Sequence, residues 1–164
     1  MKNHLFYIVS TFLLLAIIYG CNDNSTNPED NISVKPTVQI TSTNYDEQLF
    51  NSSFPKNDIL NEISDAYKSS YSNDIKVKFI DYVTNRVESL GENKKIFLEC
   101  FELSGCENEN SISLPTYIEK AKFKGEDSWI IQLTWGFKSS DLGHYKCFAI
   151  GIESKDTLYF TRCK

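Results

Sequence analysis

Four runs near the end of the chain decide the fold: Thr116 to Lys124 (TYIEKAKFK), Ser128 to Phe137 (SWIIQLTWGF), Gly143 to Ile152 (GHYKCFAIGI) and Thr157 to Cys163 (TLYFTRC). Each is rich in β-branched and aromatic residues, and each is bounded by turn chemistry: Lys-Gly-Glu-Asp, Lys-Ser-Ser-Asp-Leu-Gly and Glu-Ser-Lys-Asp. Connections this short join antiparallel neighbours, so the reading is a four-stranded meander.

Upstream, the period changes from two to that of a helix. From Asn57 the residues Ile59, Ile63, Ala66, Tyr67 and Tyr71 share one stripe, with Pro55 just before it and Asn57 or Asp58 placed to cap. A second stripe, Phe79, Ile80, Val83, Val87 and Leu90, follows the candidate cap Asp74 and ends at Gly91. Ile75 to Phe79 also alternates like a strand, and Lys95 to Leu103 fits either state. The expected class is α+β, with two N-terminal helices packed on one face of the antiparallel meander. This order of elements, over roughly residues 55 to 164, resembles the cystatin-like and nuclear-transport-factor-two-like architectures, which implies a curved sheet whose concave side holds ligands.

The start of the chain has another grammar. Met1-Lys-Asn-His4 is short and mildly basic, an apolar run occupies Leu5 to Ile18, and the sequence turns polar at once after Cys21. Ile18-Tyr-Gly-Cys21 resembles the lipobox of bacterial lipoproteins, with Tyr19 where a small residue is usual. The resemblance implies cleavage before Cys21 and acylation of that residue, a lipid anchor in a membrane. The run is shorter than the roughly 20 apolar residues of a spanning helix and no basic cluster follows it. Two acyl chains suffice for stable attachment. The expected location is therefore the cell envelope, with the chain anchored by lipid and facing the periplasm or the cell surface. Residues 22 to about 36 are rich in Asn, Ser, Thr and Pro, a tether that would hold the domain roughly 20 Å from the lipid. The boundaries drawn are a signal at 1–20, a tether at 21–45, and one domain at 46–164, with Thr37 to Thr41 a candidate edge strand.

Removing the first 20 of 164 residues leaves 144, the size of one ordinary domain. Lys2 is the only charged residue lost, so 16 Lys+Arg face 22 Asp+Glu, a net of −6. That balance argues against nucleic acid and against electrostatic docking on anionic lipid. Four further cysteines, Cys100, Cys106, Cys147 and Cys163, read in an exported chain as two disulfides. If the last hairpin turns on a three-residue loop centred on Lys155, Cys147 stands opposite Cys163, and Cys100 pairs with Cys106. Closing the loop from Cys147 to Cys163 is worth about 3 kcal/mol. The spacing Cys-x5-Cys fits no common zinc site or redox motif.

No catalytic constellation stands out. His144 is the one histidine of the expected mature chain, and Ser139, Ser140 and Asp141 sit beside it in a single turn without a nucleophile elbow. Glu99 with Glu102, and Glu107 with Glu109, are carboxylate pairs whose separation in space the sequence leaves open. No phosphate loop or cofactor motif is present, and no metal-ligand spacing. Trp129, Ile131, Leu133 and Trp135 alternate onto one face of a strand, and with Tyr145 and His144 nearby they form a candidate binding surface, core being the competing role for the tryptophans. Gln132 to Gly136 resembles the Gln-x-Val-x-Gly hairpin with which cystatins wedge into cysteine proteases, Thr134 standing for the valine. The expectation is a non-catalytic envelope lipoprotein that binds a protein partner or a small apolar ligand through its sheet. The alternatives are an envelope hydrolase working through carboxylates and a module resembling a protease inhibitor.

Overall fold

The computed structural model describes residues 32–163. The signal, Cys21 and the tether as far as residue 31 lie outside the described residues. Along the chain run β1 (Thr37–Tyr45), α1 (Glu47–Ser53), α2 (Asn57–Tyr67), α3 (Asn73–Ser89), α4 (Lys94–Glu102), β2 (Ile112–Phe123), β3 (Glu126–Gly136), β4 (His144–Gly151) and β5 (Thr157–Arg162). The class is α+β, with strands in the order β1-β2-β3-β4-β5. Strands β2 to β5 form the antiparallel meander. Two parts of the expectation change. The sheet has a fifth strand and is mixed, because β1 runs parallel to β2; and the helices number four among the described residues, lying on both faces.

Local chemistry explains the helix ends. Asp46 caps α1 by accepting from the Leu49 N–H at 2.7 Å, and Asn93 caps α4 by accepting from Lys95 and Ile96. Ser72, rather than Asp74, caps α3; Asp74 lies in the first turn, where its charge suits the helix dipole. Helix α2 starts at Lys56 with no cap from its own segment. The Gln132 side chain on β3 accepts the Lys56 N–H instead, at 2.6 Å. Gly91, at φ +85°, ends α3 as the sequence predicts, and the Glu92 N–H closes back on the Val87 carbonyl.

One face of the sheet carries Trp129, Ile131, Phe148 and Ile150, which pack against Phe79, Val83 and Val87 of α3 and Phe97 and Phe101 of α4. Trp129 is 1% exposed and meets Phe97 edge to face at 4.9 Å. On the other face Tyr117, Ile130 and Ala149 meet Phe50 of α1 and the following Phe54. Helix α2 joins that second face through Ser64, whose hydroxyl bonds that of Thr134 at 2.7 Å. Its far end reaches α3, where Tyr67 and Phe79 stand perpendicular at 5.0 Å.

Strand β1 occupies residues 37–45, which the boundary at 46 had placed in the tether. Few of its side chains are fully covered, so burial alone does not hold it. Glu119 on β2, 1% exposed, accepts from Thr41 at 2.6 Å, Tyr117 at 2.9 Å and Tyr45 at 3.1 Å. Two of these donors come from β1. A buried carboxylate is costly unless several donors satisfy it, and the network meets that condition. Burial and the adjacent Glu119 charge hold both phenols above the usual tyrosine range.

The Trp129 indole N–H is buried without an acceptor among the described residues, so the ring contributes through its surface alone. Trp129→Ala should lower the unfolding free energy by about 3–5 kcal/mol, with Trp129→Phe costing clearly less. Phe137→Ala should change it by less than about 0.5 kcal/mol. Urea titration of the three variants checks the ranking.

Candidate functional site

Helical cover ends before β3 does. Leu133 is buried, Trp135 is half-buried, and Phe137, just past the strand, is 78% exposed. Trp135 is fixed by its indole N–H, which donates to the Tyr145 carbonyl at 3.2 Å. Around that ring stand Phe137 at 5.3 Å and His144 at 5.4 Å between centroids, with the Lys146 ammonium 4.6 Å from the ring centre. The short 3-10 turn Ser139–Asp141 folds tightly under this end. A Cβ on Gly136 would come within 2.6 Å of the Asp141 backbone, so the close approach needs glycine there.

Two clefts flank the Trp135 and Phe137 ridge. One, of about 250 Å³, is lined by both rings with His144, Arg162 and Cys163. The other, of about 300 Å³, brings Asn108, Asn110, Ser111 and Lys146 to the same rings. Flat aromatic surface, amides and cations in one place suit recognition of a ligand with both an apolar and an anionic part.

The predicted binding residues separate. Trp135 and His144 pair directly across β3 and β4 and share the open face. Tyr145 pairs with Thr134, one position away, so its ring belongs to the opposite face and packs with the second core cluster. Trp129 is core, because α4 lies directly over it. Phe137 and Arg162 were not singled out from the sequence, though a large ring immediately after a Gly at a strand end is a readable signal. A further cleft of about 430 Å³ lies between Pro55, Lys56 and Tyr117, where the Lys56 ammonium sits 5.0 Å from the Phe54 ring and 5.6 Å from that of Tyr117.

The serine, histidine and aspartate of the turn do not form a triad among the described residues. His144 has no hydrogen-bonded carboxylate among the described residues, while Ser140 bonds Asp141 at 3.4 Å. Glu99 pairs with Lys155 at 3.2 Å. Glu107 is held up by burial and then by the charge of Glu102. Gln132, the first residue of the cystatin-like segment, is fully buried, and its amide is spent on Lys56 and Thr116, so that segment is not offered as a wedge. Among the described residues no group of three or more His, Cys, Asp or Glu is arranged to hold a metal.

No disulfide joins the four described cysteines in this structure. The last hairpin departs from the expected register: Ala149 faces Tyr159 but Ile150 faces Thr157, so Leu158 bulges and Cys147 stands opposite Thr161. Cys163 lies opposite Tyr145 instead, taking its N–H at 3.2 Å. Cys100 lies 3.5 Å from the Lys155 ammonium, and Cys106 accepts from Ser113 at 3.8 Å. Burial pushes the Cys106 thiol up to about 12 from 9.0.

No protein family, curated protein or solved structure matches this chain.

The Cys106 thiol ionises first in the unfolded chain, so its contribution to stability is complete below pH 9 and lost as the pH rises towards 12. Over that window the unfolding free energy of the unaltered chain should fall more steeply than that of Cys106→Ala, by up to about 1.4 kcal/mol per pH unit. Equal slopes would mean that Cys106 carries no titrating thiol, as in a bridge to Cys100.

Proposed function

We propose that the chain is a non-catalytic envelope lipoprotein, fixed to a membrane through acylated Cys21, that binds a partner or ligand at the open end of its antiparallel sheet. The observation that carries the binding site is Phe137, a large ring left 78% exposed against a half-buried Trp135. Solitary exposed rings are ordinary, but here a Trp, a Phe and a His adjoin two cations beside two clefts. Such clusters of Trp with Arg are where binding energy concentrates. The anchor rests on the sequence of residues 1–21. Among the described residues no helix is long and apolar enough to cross a membrane.

Two variants test the two halves of this reading separately in the native host. Cys21→Ser should abolish acylation and leave residues 1–20 uncleaved, as the mass of the N-terminal peptide would show. The double variant Trp135→Ala, Phe137→Ala should stay with the membrane and lose at least about 2 kcal/mol of affinity for whatever crosslinks to the unaltered chain. Normal processing of the Cys21→Ser chain, or an unaltered chain without an acyl group on Cys21, would refute the anchor; undiminished crosslinking of the double variant would refute the site.

A further inference from the structure

Lys146 and Arg162 stand directly opposite each other on β4 and β5. Both lie on the face that carries Trp135, since Lys146 also pairs with Leu133. Like charges in directly opposed positions destabilise an antiparallel pair. Neither has a carboxylate partner among the described residues, where the ion pairs use Lys68, Lys120, Lys122, Lys124 and Lys155. The chain carries a net charge of −5, so two adjacent cations without a carboxylate partner are not a general excess of base. Two opposed cations are complementary to an anion.

Strand β5 supplies the rest. It is the last strand of the sheet and is paired on one side only. The Cys163 N–H donates to the Tyr145 carbonyl, and main-chain groups alternate in direction along a strand. Those of Phe160 and Arg162 therefore point away from β4. The same two residues present exposed side chains, Phe160 being 40% exposed and stacked on Phe148 at 4.8 Å.

We infer that β5 is the docking edge for an extended acidic segment of a partner protein, which adds as a sixth strand. Its main chain bonds Phe160 and Arg162. One carboxylate reaches the pair Lys146 and Arg162, where charge-assisted bonds relieve their repulsion. Two residues along, on the same face, an apolar side chain lies beside Phe160. This deepens the proposed function and rests on its claim that this end of the sheet binds.

The probe is a display library of random extended peptides selected on the full chain in mild detergent at low salt. Selected peptides should share an Asp or Glu two residues from an apolar residue. Their binding should weaken about tenfold or more with Arg162→Glu, which is exposed and leaves the fold intact, and by a similar factor when the peptide amide facing β5 is N-methylated. Peptides that need Trp135 but show no acidic preference, or tolerate N-methylation, would overturn the strand while leaving the site standing. Failure to select any peptide, or binding of an oligouronate in its place, would overturn the partner segment. Ligands indifferent to both Phe137→Ser and Arg162→Glu would remove the site itself.

Discussion

Strand β3 is buried on both faces from Ser128 to Thr134, and the arrangement of the other elements follows from that constraint. One face is apolar, with Trp129, Ile131 and Leu133, and is closed by α3 and α4. The other mixes Ile130 with Ser128, Gln132 and Thr134, whose polar groups cannot enter the interior unpaired. They are met by a Glu126 carbonyl for Ser128, by Lys56 and Thr116 for Gln132, and by Ser64 for Thr134. The second helical layer is thus positioned by hydrogen bonds as much as by Phe50 and Phe54. In return, the Gln132 amide starts a helix that lacks a cap of its own.

A sheet covered on both sides leaves little room for function except at its ends and edges. The helices stop short of Trp135, and the 3-10 turn tucked against Gly136 keeps Phe137 lifted into solvent. At the other edge, β1 is held by polar side chains. Its hydroxyls reach a carboxylate that the sheet has enclosed, so the strand is tied on by polar groups whose loss would leave Glu119 buried and underbonded. Both edge strands are paired on one side only; β1 is tied to β2 through Glu119, and β5 presents Phe160 and Arg162.

Much of this was legible before any coordinates. Period two over residues 116–163 specified the meander, and the stripes around Ile63 and Phe79 specified two helices, because both signals are local and repeated. The parallel strand β1 was only glimpsed, since its polar alternation resembles a tether until Glu119 is known to be interior. Glu119 itself sits beside Lys120 and Lys122 and reads as surface. Helix α1 is a short segment held by the Asp46 cap and the single buried ring of Phe50, too brief for periodicity. Trp129 and Trp135 are indistinguishable in sequence, being on one face of one strand; the reach of α4 decides that one is core and the other is open. The register of the hairpin cysteines depended on where the chain turns, and the Gly151 N–H closing on the Asp156 carbonyl sets that turn earlier than a loop centred on Lys155.

The central claim is that the uncovered end of the sheet is a recognition surface. A photoreactive phenylalanine analogue at position 137, placed in the full chain in its native host, tests it most directly, with position 77 as control because Val77 is also apolar and 54% exposed. The account predicts a discrete adduct from position 137 that is absent from position 77 and is lost with Arg162→Glu. Adducts that are the same from both positions, or that survive the loss of Arg162, would contradict it.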